Sequence, residues 1–293
     1  MTRTPKLSHR LLQKHSEEYL SSLSSAETRG TYGRALREFL RWQKDHAPSF
    51  SGNGDVLKYR KHLEKKKKLS AASVATYLTS LRRLCDHLVK RGVLHSNPVE
   101  GVSCSQATRA HTRGMLSLEE TRQLLSSIEG NDERGKRDLA LFRLMLDCGL
   151  TPVELVRADI GDLTLNGRHS TLAVQRKGRK KKDTLIELSA EVKHAVRDYL
   201  EFRTSARKSE PLFESSGNRT RGARMTPRGL RSRISFYMTK AGIESTSKRT
   251  LSPASLRHTA VALSVQRGAT IEELRSKFHI GTDTTAKLYI SPQ

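Results

Sequence analysis

Cysteine is scarce in this chain and poorly spaced for pairing. The three present, Cys85, Cys104 and Cys148, are widely separated and form no CxxC pair, so neither a disulfide framework nor a zinc site is expected. All three read as buried thiols in a reducing compartment. Long apolar runs are also missing. No stretch approaches the roughly 18 residues of a spanning helix, and no basic, apolar, small-residue signal opens the chain, so the expectation is an intracellular, cytoplasmic protein with no membrane partner. Acidic residues are in short supply: 30 Asp and Glu face 54 Lys and Arg, leaving a net charge of +24. That excess is more than solubility requires and recurs in both halves instead of forming one tail. It favours a polyanion, and nucleic acid is the first candidate.

What is present suffices for two cores, since 35% of 293 residues are apolar and the length exceeds an ordinary single domain. The first hundred residues read as short amphipathic helices. One carries Tyr32, Leu36, Phe39 and Leu40 on a single stripe, with Arg34, Arg37, Arg41 and Lys44 facing elsewhere. Another starts at the N-cap Ser70, carries Val74, Leu78, Leu81, Cys85 and Leu88, and ends at Gly92. Between them Ser49 to Gly54 reads as a loop, followed by a helix that runs out in Lys65 to Lys68. Residues 103–114 have little hydrophobic periodicity and are expected to be a linker between a domain at 1–102 and another at 115–293.

The second domain opens on a capping box, Ser117-Leu118-Glu119-Glu120. An apolar-rich helix over 138–148 stops at Gly149, and Pro152 suits the first turn of the next. Strand alternation occurs only at Thr171 to Gln175 and Leu185 to Leu188, which predicts a small hairpin. Its connection, Arg176-Lys177-Gly178-Arg179-Lys180-Lys181-Lys182-Asp183, is dense in cations. Read alone it is a solvated basic turn that touches backbone phosphate.

Two phrases carry the chemistry. Ser255-Leu256-Arg257-His258-Thr259 is followed 32 residues after its arginine by Tyr289, and upstream lies Gly149-Leu150-Thr151-Pro152-Val153-Glu154-Leu155. Together they resemble the signature of the tyrosine recombinases, the phage-integrase family. The resemblance implies a mainly α protein with a small antiparallel β-hairpin or sheet, in which a helical core-binding domain precedes the catalytic domain. It implies Tyr289 as the nucleophile that forms a 3′-phosphotyrosyl link, Arg257 as a planar clamp on the non-bridging oxygens, and Lys177 (or Lys180, if the turn is longer) as general acid. His258 would orient phosphate or nucleophile. No metal or other cofactor is needed when side chains take these roles.

Three positions depart from the family's phrases. Thr151 stands where the first catalytic arginine belongs, Ala254 replaces a histidine, and Ile280 replaces a histidine or tryptophan. One lost charged donor costs roughly 2.7–4 kcal/mol of transition-state stabilisation. Arg157, Arg143, His279 or a partner subunit are the candidates to make up the loss. The implied partner is duplex DNA, touched by Lys65, Lys66, Lys67, Arg82, Arg83, Arg176, Arg179 and Lys180. The protein is expected to act as a homo-oligomer on DNA or beside a second recombinase, and few residues follow Tyr289 to support cyclic assembly through a tail. The function expected is site-specific recombination or integration. The alternatives are a DNA-binding accessory protein without cleavage and a type IB topoisomerase-like enzyme.

Overall fold

The structure is a computed structural model of the chain and describes residues 7–47, 49–50, 52–102, 114–167, 169–176, 178–217, 220–246 and 249–290. It divides at Arg109/Ala110 into two compact units, both mainly helical, the second with a small antiparallel sheet. Among the described residues no helix is long and apolar enough to cross a membrane.

The first unit packs α1 (His9–Ser22), α2 (Ala26–His46), α3 (Asn53–Lys61) and α4 (Ala71–Lys90). A two-residue strand pair, β1 (Leu7–Ser8) with β2 (Ser49–Phe50), staples its edge. The expected stripe on α2 is partly right. Leu36 and Phe39 are buried, Tyr32 and Leu40 are half-buried, and Trp42 also turns inward. Phe39 lies edge-on to Phe50 and Tyr59 at centroid separations of 5.4 and 5.1 Å, an arrangement that aromatic quadrupoles favour. On α4 every residue of the expected face, Val74, Leu78, Leu81, Cys85 and Leu88, is buried. After α3 the chain widens into a π-turn over His62–Lys66 and then reverses at Lys68, whose φ is 49°.

The second unit is built around α6 (Glu133–Asp147), which is capped by Asp132 and starts five residues before the expected 138. It packs along α8 (Ala190–Leu200), and the remaining helices are α5 (Leu118–Ser126), α7 (Pro152–Arg157), α9 (Pro227–Lys240), α10 (Pro253–Gln266), α11 (Ile271–Phe278) and α12 (Asp283–Ile290). The Ser117 capping box forms as expected. The hairpin gains a third strand. β3 (Leu163–Asn166) pairs with β4 (His169–Val174), which pairs with β5 (Thr184–Glu187). Four residues of Leu-Thr-Leu-Asn alternation are too short to stand out as a strand. Gly167 at φ 46° makes the turn back to β4.

The expected 103–114 linker falls outside the described residues except at its last position. Gly114 belongs to the second unit: its N–H donates to Thr250 O at 2.8 Å, and an added Cβ would lie 2.1 Å from Arg249 Cγ. Cys85 and Cys148 are buried free thiols, and burial raises the Cys148 pKa to about 12. Cys104 lies outside the described residues.

Asp138, with 0% of its surface exposed, anchors this unit. It accepts from Arg137 Nε at 3.0 Å, Arg137 Nη2 at 2.7 Å, Arg233 Nε at 3.0 Å and Tyr237 Oη at 3.0 Å. Removing one partner of such a pair strands a buried charge, whose desolvation is no longer offset. We therefore expect Asp138→Ala to destabilise the second unit by about 3–5 kcal/mol. The check is urea unfolding followed by circular dichroism, with Trp42 fluorescence, which reports the first unit, expected to hold its midpoint.

Candidate active site

Ser252-Pro253 starts α10 as the sequence predicts, and Gly268, at φ 87°, follows its end. The helix carries Arg257 and His258 one after the other, so the two side chains leave it about 100° apart. His258 faces α12. Its Nδ1 lies 2.5 Å from Tyr289 Oη, and the two rings are nearly parallel with centroids 5.8 Å apart. The back of Tyr289 packs on a small apolar cluster of Ala260, Val261, Leu274 and Phe278. That cluster also takes up Ile280. Ile280 therefore serves packing behind the tyrosine and offers no polar group.

Arg257 reaches the other way. Its Nη1 donates to Gly149 O and its Nη2 to Phe278 O, both at 2.5 Å. The guanidinium thus bridges the chain just past α6 and the end of α11 while standing on α10. Gly149 permits this, because its φ is 65° and an added Cβ would come within 2.6 Å of Phe278 Cδ1. Burial pulls the Arg257 pKa down, opposed by the carboxylate of Glu154, and the charge of Arg176 adds to the lowering.

Thr151 is not idle in its new role. It is the N-cap of α7 and forms a capping box with Glu154: Thr151 N and Thr151 Oγ1 both donate to Glu154 Oε2 at 2.8 Å. Glu154, only 5% exposed, uses its other oxygen to accept from Arg176 Nη1 at 2.9 Å. Arg176 thereby folds inward against Glu154 instead of standing on the solvated turn. His279 completes the group. It ends α11 in the left-handed conformation at φ 48°, a strained choice for a non-glycine residue. Burial first, then the charges of Arg176 and Arg257, depress its pKa, against the opposing pull of Glu154.

The family model for the phage integrase family matches residues 115–291, and that for the phage integrase N-terminal SAM-like domain matches residues 11–93. The chain belongs to the phage integrase family. The tyrosine recombinase XerC of Neisseria meningitidis serogroup B is 25% identical over 281 residues, covering 95% of this chain and 89% of that protein. The XerC of Vibrio cholerae O395 is 32% identical over 196 residues. That match covers 66% of this chain and spans 58% of the length of the Vibrio protein. Among solved structures, the XerH site-specific recombinase bound to palindromic difH substrate superposes with a TM-score of 0.75 at 18% identity, covering 96% of this chain and 80% of that one. A lambda integrase dimer bound to a COC′ core site gives 0.73 at 14%, covering 99% and 78%. At these identities the likeness is one of fold.

The integrase places its other expected site residues less compactly. Lys177, the expected general acid, lies outside the described residues, and its neighbours Arg179 and Lys180 are exposed. Farther along the same turn, Lys182 is held by Asp159 and Asp162. Ala254 is half-buried in the first turn of α10. In the first unit Lys65, Lys66 and Arg83 are exposed, Lys67 pairs with Glu38 at 3.0 Å, and Arg82 donates to Val102 O at 3.2 Å, so Arg82 is committed to its own fold. Arg143, a candidate replacement for the missing arginine, pairs with Asp147 at 3.6 Å. Among the described residues, the one grouping of metal-ligand type is His15, Glu18 and His87 in the first unit, with ligand atoms within 4.8 Å.

Neither the role of Glu154 nor the inward course of Arg176 is expected from the sequence. The Thr-x-x-Glu spacing at 151–154 was the available signal for the first. For the second there was none, because the direction of a side chain leaving a turn is not written locally.

The depressed His279 pKa has a consequence for stability. The unfolded chain takes up a proton at His279 near pH 6.5, whereas the folded unit does so only at lower pH, so stability falls as pH drops through about 6.5. His279→Asn, which tolerates the left-handed cap, should flatten that part of the slope. Urea midpoints of both proteins at about pH 7.5 and about pH 5.5 check this, and an unchanged slope would remove His279 as the titrating group.

Proposed function

We propose that the integrase is a tyrosine-recombinase-type strand transferase that acts on duplex DNA in site-specific recombination, with Tyr289 as its nucleophile. The observation that carries this reading is the 2.5 Å contact between Tyr289 Oη and His258 Nδ1, made within one chain beside the Arg257 guanidinium. A phenol next to a proton acceptor, with a fixed cation at hand, is what a phosphodiester displacement requires. Its relatives, the tyrosine recombinase XerC and, by fold, XerH bound to a difH substrate, point the same way.

In the proposed step Tyr289 Oη attacks the scissile phosphorus. The bond to the 5′ oxygen breaks, a phosphotyrosyl ester forms on the 3′ side, and the phenolic proton passes to His258. The departing 5′ alkoxide takes a proton from the general acid, assigned by resemblance to Lys177. Arg257 spreads the charge that gathers on the non-bridging oxygens, and its fork geometry suits two oxygens better than an ammonium would. The phosphotyrosyl ester retains the energy of the diester, so attack by another strand's 5′ hydroxyl rejoins DNA without a cofactor. A homo-oligomer on DNA or a pairing with a second recombinase is the working assembly we infer, and a location with the nucleoid follows from the substrate.

The test is covalent trapping on a library of nicked suicide duplexes with randomised arms, resolved on a denaturing gel. Wild type should give a protein–DNA adduct and Tyr289→Phe none. An adduct that persists in Tyr289→Phe would remove the tyrosine as nucleophile, and tight binding with no adduct from wild type would leave a DNA-binding protein without cleavage.

Binding itself should weaken steeply with salt, because each neutralised phosphate releases condensed cations. For 6–10 phosphate contacts the affinity should fall roughly 10³- to 10⁵-fold between about 50 and 200 mM monovalent salt. Fluorescence anisotropy measures it, and a flat response would contradict phosphate contacts by the basic surface.

A further inference from the structure

Glu154 poses the question that leads beyond the known family. Its carboxylate is shared, with Oε2 taken by Thr151 and Oε1 by Arg176. The Arg176 guanidinium therefore lies within one carboxylate of the position where the family's phrase has an arginine and this chain has a threonine. The side chain arrives from a different element, the turn after β4, yet reaches the same neighbourhood.

Several features say that this guanidinium awaits an anion. Its side chain is only 13% exposed. Nη1 is satisfied by Glu154, but Nε and Nη2 are buried with no hydrogen-bond partner among the described residues, and buried donors left unmade are costly and uncommon. Its charge acts on both Arg257 and His279. Two guanidinium groups against one carboxylate leave a local surplus of one positive charge, which a phosphodiester, carrying one negative charge, would cancel. The backbone holds the group in place. Arg176 O accepts from Arg179 N at 3.0 Å, and Gln175 Nε2 donates to Arg179 O at 2.8 Å, so the turn is closed just behind it.

We infer that Arg176 supplies the second guanidinium on the scissile phosphodiester, doing from the β4–β5 turn what Thr151 cannot do from the start of α7. Glu154 positions it, and Thr151 holds Glu154. The exchange also explains why threonine is tolerated at 151: an arginine there would compete with Arg176 for the same carboxylate and the same space. This inference rests on the strand-transfer function proposed above.

The test moves the charge back. In covalent trapping on the captured duplex, Arg176→Gly should lower the rate of Tyr289 adduct formation roughly a hundred- to a thousandfold while salt-sensitive binding persists. Arg176→Lys, which keeps the charge as a single point, should recover little of it. Adding Thr151→Arg to Arg176→Gly should restore adduct formation, an outcome that a merely structural role for Arg176 would not produce. An adduct rate unchanged in both Arg176→Gly and Arg176→Lys overturns the inference.

If wild type itself forms no adduct, strand transfer is what has failed, and the anion site is then judged without cleavage. Dimethyl phosphate, titrated at constant ionic strength, should raise the NMR titration midpoint of His279 in wild type and leave it unmoved in Arg176→Lys. A wild-type midpoint that ignores dimethyl phosphate overturns the site.

Discussion

The second unit depends on where one guanidinium places its hydrogen bonds. Arg257 stands on α10 and donates to the carbonyls of Gly149, two residues past the end of α6, and Phe278, the last residue of α11. The Phe278 carbonyl is one of the acceptors that a helix end leaves without an intrahelical partner. A single charged side chain therefore closes two helix ends and fixes α10 against both. Donors remain on its fork for a substrate, since a guanidinium carries five N–H groups. Its charge survives burial because Glu154 lies near enough to support it.

Once Arg257 is fixed, the neighbouring groups have little freedom. The next residue on α10, His258, must face α12 and meets Tyr289. Phe278, whose carbonyl is used by Arg257, also presses against Gly149 and belongs to the apolar cluster behind Tyr289. Tyr289 thus has a polar front and a packed back, and Phe278 contributes to both. Ile280 joins the packed side, while His279, turned by its left-handed backbone, lies among the charges of Arg176, Arg257 and Glu154. A histidine one position away from the expected one occupies that electrostatic environment.

Local signals in the chain were enough for most elements of the first unit. The buried face of α4 was readable residue by residue, because a helix that buries one stripe must repeat apolar groups at its own period. The caps at Ser117 and Ser252 were readable for the same local reason. β3 was not, since four residues of alternation carry too little signal. The meeting of His258 with Tyr289 was legible only through a family phrase, as no periodicity joins residues on different helices.

By itself the sequence determined the class of the molecule: two largely helical units, a strong positive charge, and a tyrosine set 32 residues after an arginine. Those follow from local periodicity, composition and spacing, which act over a few residues at a time. Only the tertiary structure decided that Arg176 folds inward to Glu154 and that His279, not Ile280, faces the charged cluster. The physical reason is that a buried charge must find its counter-charge wherever the fold brings one, and Glu154 and Arg176 are 22 residues apart in the chain yet 2.9 Å apart in space.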